Sequence, residues 1–212
     1  MTTAVVPVAG LGTRLLPATQ AVPKELLPVG GRPVVEHVVE ELARSGIERV
    51  VFVTSHGKGA IEDHFAGADG LGVALAWTIQ PAPRGLGDAV LCADGLTGHD
   101  DEPFAVALGD AILGTREPHD VVARLARARE EHDAACAIAV REVPRAQTGR
   151  YGIVSTDGAG RVTGIVEKPD PGTAPSTLAV SGRYVMTRAI FGALRATPLG
   201  ARGELELTDA IA

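Results

Sequence analysis

Lysine and arginine nowhere gather into a block in this 212-residue chain, and the formal net charge is -6. A polyanion such as DNA or RNA is therefore not the expected partner. Aromatic residues make up only 3% of the chain, with Trp77 the single tryptophan, which leaves no stacking platform for single-stranded nucleic acid. Cysteine is as scarce: Cys92 and Cys136 stand far apart, each in an apolar stretch. They suggest neither a disulfide framework nor a paired metal motif, and a reducing cytoplasm is the expected compartment. No uninterrupted apolar run is long enough to span a bilayer, and the amino terminus lacks the basic start and apolar core of a signal peptide. A soluble, unexported protein with no membrane partner is expected. The six histidines, His37, His56, His64, His99, His119 and His132, show no metal-ligand spacing and read as surface or structural residues.

What is present is apolar material, 45% of the chain against 22% charged, enough for the core of one domain over residues 1–212. Residues 3–9 (TAVVPVA) are nearly all apolar and end at a glycine, the pattern of a strand buried on both faces. From Arg32 to Gly46, Val34, Val35, Val38, Val39 and Leu42 recur at helical spacing and Gly46 closes the helix. Strands over Val50–Val53, Val73–Ile79 and Phe104–Leu108 alternate with helices near Lys58–Phe65, Leu86–Asp94 and Val121–His132. This alternation predicts a parallel sheet with crossover helices, so the first half is Rossmann-like.

Beyond about Ala134 strands dominate, at Ala135–Val140, Gly152–Ser155, Val162–Val166 and Leu178–Met186. Asp157-Gly158-Ala159-Gly160 signals a hairpin turn between two of them. Pro169–Ser176 is short enough to be a surface loop. The expected architecture is an α/β fold with a mixed, mostly parallel central sheet and helices on both faces. Residues 1–133 are expected to form its Rossmann-like half and 134–212 its mixed α+β half.

The chemistry begins at Gly10-Leu11-Gly12-Thr13-Arg14, directly after the first strand. Glycines there let the backbone approach a phosphate, although a tight structural turn explains the same pair. A dinucleotide fold needs a third glycine near Leu15 and an immediate helix, whereas Pro17 and Pro23 here keep the chain in an extended loop. A Walker A loop needs Gly-Lys-Ser/Thr, which is absent. Arg14 and Lys24 give this loop two cations for a triphosphate.

The run from Gly10 to Thr19 followed by Pro23-Lys24-Glu25-Leu26-Leu27-Pro28 resembles the signature of the sugar-1-phosphate nucleotidyltransferases. Its wording is most similar to bacterial UTP:glucose-1-phosphate uridylyltransferases. Later motifs agree in order: Gly85–Val90, Leu108-Gly109-Asp110, Tyr151–Val154, Val166–Pro169, Gly182-Arg183-Tyr184 and Gly203–Asp209. The resemblance implies the nucleotide-diphospho-sugar transferase fold, Mg²⁺ as cofactor, and a nucleoside triphosphate and a sugar 1-phosphate as substrates, with homo-oligomerisation left open. It also implies nucleotide contacts from Ala9, Gly10, Gly12, Thr13, Gln80 and Gly85, and catalytic roles for Arg14, Lys24, Asp110 and Lys168.

Asp110 follows an apolar strand and falls at its carboxyl end, where open α/β sheets place ligands, and a carboxylate there can hold Mg²⁺. A turn or helix cap is its bland alternative. Lys168, between Glu167 and Pro169, suits a sugar phosphate while Glu167 accepts from sugar hydroxyls; a solvated Glu-Lys pair is the alternative. Gln80 can pair through its amide with a pyrimidine edge, and Gly152 lets backbone approach the sugar or marks a bulge. Asp209 is expected to open a final helix, in a capping or catalytic role.

The resemblance places a second metal aspartate in a segment beyond Ala212, so Asp110 is the one metal carboxylate assignable here. The run Gln80-Pro81-Ala82-Pro83 into Gly85 lacks an insertion usual in the uridylyltransferases and looks like thymidylyltransferase relatives. A dTTP-dependent enzyme, one using another sugar or cyclitol phosphate, a catalytically weak binding homologue, and a nicotinamide-binding oxidoreductase remain as competing expectations.

Overall fold

The computed structural model describes residues 1–67, 70–98, 102–113, 120–200 and 203–212. His99 and His119 lie outside the described residues. The elements run β1 (Thr3–Pro7), β2 (Pro28–Val29), β3 (Arg32–Pro33), α1 (Val34–Arg44), β4 (Arg49–Thr54), α2 (Gly59–Phe65), β5 (Ala74–Ile79), α3 (Leu86–Leu91), β6 (Phe104–Ala107) and α4 (Asp120–Glu131). They continue with β7 (Cys136–Glu142), β8 (Gly152–Thr156), β9 (Val162–Glu167), β10 (Leu178–Met186), α5 (Ala189–Ala196) and α6 (Leu207–Ile211). The expected strands and helices are thus present within a few residues of their predicted ends.

One sheet joins both halves of the chain in the order β5-β4-β1-β6-β10-β8-β9, with β7 on the other side of β10. β1 pairs in parallel with β4 and β6, and β4 with β5. β10 is antiparallel to β6, β7 and β8, and β9 is antiparallel to β8. Consequently β1, β4, β5, β6, β7 and β8 point one way, and β9 and β10 the other.

Alternation along the strands explains the layers. Ala4 and Val6 of β1, Val50 and Phe52 of β4, and Ala105 and Ala107 of β6 face one cluster, with Val38, Val39 and Leu42 of α1, Ile61 of α2 and Val122 of α4. Val5, Val51, Val53, Phe104 and Val106 face the opposite cluster with Val90 of α3, Phe191 and Leu194 of α5, and Leu207 of α6. Strands buried on both sides must be apolar at successive positions, which is why these runs hardly alternate in hydropathy.

The β10 ladder shifts register between Val180 and Tyr184. Gly182 sits there at φ 77°, its carbonyl accepting from Leu108 N–H at 3.0 Å, and an added Cβ would lie 2.9 Å from Leu108 Cδ1. This bulge lets one end of β10 pair with β6 and the other with β8.

Two local expectations need correction, and two short elements went unforeseen. The stretch around Pro17 and Pro23 is not extended throughout: it folds into short 3₁₀ turns at Thr13–Leu15, Ala18–Gln20 and Lys24–Leu26. Proline fixes φ near the value such turns use, so it starts them as readily as it blocks an α-helix. The two-residue ribbon β2–β3 and the eight-residue helix α5 carry too short a pattern to be separated from loop by periodicity. The final helix begins at Leu207, so the exposed Asp209 lies inside its first turn and is not the residue that opens it.

Candidate functional site

The parallel strands deliver their loops to a single edge of the sheet. β1 leads into Val8–Gly12, β4 into Lys58, β5 into Gln80 and β6 into Leu108–Asp110, the edge at which open α/β sheets bind ligands.

At the loop after β1, Gly12 adopts φ 67°, and Thr19 Oγ1 donates to its carbonyl at 2.8 Å. A Cβ on Gly12 would lie 3.0 Å from Thr19 Cγ2, so the left-handed turn and the close packing both require glycine. A Cβ on Gly10 would stand 3.3 Å from Lys24 Nζ. The Lys24 side chain therefore crosses the bare backbone at Gly10, and its ammonium donates to Asp110 Oδ2 at 2.5 Å. Two cationic and acidic residues 86 positions apart meet over the glycine turn.

Underneath lies a pair that sequence reasoning missed. Lys58 Nζ donates to the carbonyls of Val8 and Gly10, both at 2.6 Å, and to Glu25 Oε2 at 2.9 Å. The Glu25 side chain is only 1% exposed. Burial pushes the Glu25 carboxyl up and the Lys58 ammonium down, while each partner's charge opposes that shift. The pair clamps the turn from below, and the Lys24 ammonium, 4.0 Å from Glu25 Oε1, reaches across it to Asp110. The Pro-Lys-Glu run held this signal in sequence, but its partner lies 33 residues away.

A second wall is built by β8, β9 and α6. Gly152 pairs directly with Glu167 across the two strands. A Cβ at Gly152 would sit 3.0 Å from both Glu167 Oε2 and Thr208 Cγ2, so the glycine lets this carboxylate lie against α6. Glu167 Oε1 accepts from Lys168 Nζ at 2.6 Å and its Oε2 from Thr208 Oγ1 at 3.2 Å. Lys168 holds φ 48°, a strained value for a residue with a Cβ, and its N–H donates to the Tyr151 carbonyl at 3.0 Å. Thr208 is a buried polar residue the sequence did not single out. Its neighbour Asp209 is exposed.

Arg14, Gly152, Glu167, Lys168 and Thr208 line one cavity of about 250 Å³. Asp110 lines a larger one of about 950 Å³, and both share Leu108, Tyr151, Val180 and Gly182 as a common wall. Among the described residues Arg14 has no ion-pair partner. The arrangement supplies cations from three directions and two carboxylates bound to them, which suits a ligand with several anionic groups and a hydroxylated portion.

Gln80 and Gly85 meet at the far end. Gln80 is 4% exposed, and its Nε2 donates to the Gly85 carbonyl at 3.0 Å and to Asp88 Oδ2 at 2.7 Å. Both amide hydrogens are thus used within the protein. Only Oε1 remains. Gly85 has φ 100°, and a Cβ there would collide with the Leu205 carbonyl at 2.6 Å.

No group of three or more histidine, cysteine or acidic residues able to hold a metal exists among the described residues. Asp110 therefore stands as a single carboxylate, 38% exposed, with Oδ1 unengaged. Among the described residues no helix is long and apolar enough to cross a membrane.

A profile of the family described as Nucleotidyl transferase matches residues 3–212. The chain is 44% identical over 233 residues to UTP–glucose-1-phosphate uridylyltransferase 2 of Staphylococcus saprophyticus, covering 98% of this chain and 79% of that protein. Against UTP–glucose-1-phosphate uridylyltransferase of Bacillus subtilis it is 42% identical, covering 98% and 78%. Among solved structures it superposes on a UDP-glucose pyrophosphorylase complexed with UDP-glucose with TM-score 0.89 at 31% identity, covering 99% of this chain and 85% of the other. On a UTP-bound enzyme from Acinetobacter baumannii the TM-score is 0.85 at 38% identity, covering 100% and 81%.

Proposed function

The chain belongs to the nucleotidyl transferase family, and we propose that it transfers the uridylyl group of UTP to glucose 1-phosphate, giving UDP-glucose and pyrophosphate. The observation that carries this reading is the Lys24–Asp110 contact of 2.5 Å above the glycine turn, facing a wall that presents Lys168 and Glu167. Residues 1–133 serve as the nucleotide half and 134–212 as the sugar-phosphate half of one domain. The names of the relatives, which share UTP and glucose 1-phosphate, support this substrate pair.

A phosphate oxygen of glucose 1-phosphate attacks the α-phosphorus of UTP in line. The new P–O bond forms as the bond from the α-phosphorus to the bridging oxygen breaks, and pyrophosphate leaves with that oxygen. The attacking phosphate is already an anion at neutral pH, so no protein base is needed, and positioning and charge neutralisation do the catalysis. Backbone at Ala9, Gly10, Gly12 and Thr13 cradles the phosphates. Arg14 and Lys24 neutralise charge building on the α-phosphorus and the leaving group. Lys168 holds the acceptor phosphate, Glu167 accepts from sugar hydroxyls beside the bare backbone of Gly152, and Gln80 with Gly85 meets the base.

Asp110 fits Mg²⁺ of the kind carried by substrate: one exposed carboxylate with a free oxygen leaves the other positions to water and phosphate oxygens, as this ion prefers. Bound there, Mg²⁺ would act as a Lewis acid on the triphosphate. The test is pyrophosphate release across a panel of nucleoside triphosphates and sugar phosphates. UTP with glucose 1-phosphate should give the highest kcat/KM, and a clear preference for another pair would replace the substrate assignment.

A further inference from the structure

Asp88 sits beside the base-reading residues without being one of them. It belongs to the first turn of α3, and its carboxylate accepts from Gln80 Nε2 at 2.7 Å. The other hydrogen of that amide goes to the Gly85 carbonyl at 3.0 Å. A backbone carbonyl and a carboxylate are both pure acceptors. They can be met only by the NH₂ end of the glutamine, and turning the amide over would set Oε1 against two oxygens while stranding the amino group. The chemistry of the neighbours therefore decides which end of the amide is left unengaged within the protein.

We infer that Asp88 is a specificity-determining positioning residue, which locks the Gln80 amide with its acceptor oxygen toward the nucleobase and thereby selects a base that donates from N3. This rests on the reading that Gln80 meets the base. Uracil carries an N3–H donor at its pairing edge, whereas cytosine presents a bare N3 acceptor. An acceptor held in place satisfies the first and repels the second, and a site left with unpaired polar groups discriminates far more strongly than one that differs only in shape.

The surrounding loop is held independently of Asp88. Gln80 N–H donates to the Thr54 carbonyl at 2.7 Å, Gly87 N–H to Leu205 O at 2.8 Å, and Leu205 N–H to Arg84 O at 2.7 Å. Removing the carboxylate thus leaves the Gly85 carbonyl as the amide's one remaining orienting acceptor and loosens the amide without releasing the backbone that carries it. A purely structural role, such as favouring the start of a helix with a negative charge, has no reason to change the ratio between two nucleotides.

The experiment compares kcat/KM for UTP and CTP, at fixed glucose 1-phosphate, in the unmodified protein and in Gln80→Ala, Asp88→Leu and Asp88→Asn. The unmodified protein should prefer UTP, and Gln80→Ala should reduce that preference. Asp88→Leu, close in shape but unable to accept, should narrow the UTP:CTP ratio about tenfold, the worth of one well-made hydrogen bond. Asp88→Asn should keep most of the ratio, because its Oδ1 still accepts. If near-UV circular dichroism shows the leucine variant unfolded, Asp88→Ala replaces it with the same expectation. A UTP:CTP ratio unchanged in Asp88→Leu or Asp88→Ala, while Gln80→Ala lowers it, overturns the role of Asp88 and leaves base reading by Gln80 intact. An unmodified protein without preference, or one whose preference survives Gln80→Ala, overturns base reading by Gln80 and this inference with it.

Discussion

Arg183 on β10 and Glu41 on α1 form a buried bidentate ion pair, Nε to Oε1 at 2.8 Å and Nη2 to Oε2 at 2.7 Å, across 142 positions of sequence. Arg183 is fully buried, and it also donates to the carbonyls of Gly182 at 3.1 Å and Ala111 at 2.9 Å. One guanidinium thus ties a helix, the β10 bulge and the segment that follows Asp110. Removing one partner of a buried pair strands the other's charge, so Arg183→Met should cost about 3 to 5 kcal/mol in urea unfolding. The double variant Arg183→Met/Glu41→Leu should recover much of that loss. Equal stability of Arg183→Met and the unmodified protein would show that the pair does not anchor these elements.

Lys58 and Glu25 make a second buried pair whose loss should be read against pH. Burial already raises the Glu25 carboxyl, and Lys58→Met removes the charge that most opposes this. An acid whose folded pKa lies above its unfolded value is deprotonated first in the unfolded chain, so stability falls as pH rises through that interval. Lys58→Met should therefore lose stability from the ordinary carboxylate range upward, more steeply than the unmodified protein. Adding Glu25→Gln should flatten the slope, and a slope that persists would place its origin elsewhere.

Lys168→Ala should raise KM for the sugar phosphate far more than that for the nucleotide, because its ammonium lines the cavity with Glu167 and Gly152. A charge-assisted contact is worth about 1.5 to 3 kcal/mol, so the effect should be about tenfold to a hundredfold. Initial-rate kinetics with each substrate varied in turn would check it. Unchanged KM and kcat for the sugar phosphate would remove Lys168 from the site.

Asp110→Asn keeps the shape and hydrogen-bonding reach of the side chain but removes the charge that meets Lys24 at 2.5 Å. The folded variant should lose about a hundredfold or more in rate, and added Mg²⁺ should partly restore it. Normal turnover with normal Mg²⁺ dependence would show that the metal is held elsewhere.

The centre of the sheet was legible because β1, β4 and β6 are buried on both faces, and runs such as Val50-Val51-Phe52-Val53 declare that burial without reference to partners. Lys24, Asp110, Glu167 and Lys168 were legible because each lies in a local motif. What escaped was pairing at a distance. Nothing local in the sequence joins Lys58 to Glu25 or Arg183 to Glu41, and Thr208 faces Glu167 only because α6 packs beside β9. Asp88 was hidden differently: it stood inside a recognised motif, but its effect on the Gln80 amide needs the positions of three side-chain and backbone acceptors and donors together.

The central claim is that a phosphate oxygen of glucose 1-phosphate attacks the α-phosphorus of UTP. Phosphorus NMR of the unmodified protein with UTP, glucose 1-phosphate and Mg²⁺ tests it most directly, with glucose 1-phosphate carrying ¹⁸O in its glucosyl oxygen. The account predicts the coupled phosphorus pair of UDP-glucose and an equal amount of pyrophosphate, with the label retained between glucose and phosphorus. No UDP-glucose, hydrolysis of UTP alone, or loss of the label from the product would contradict it.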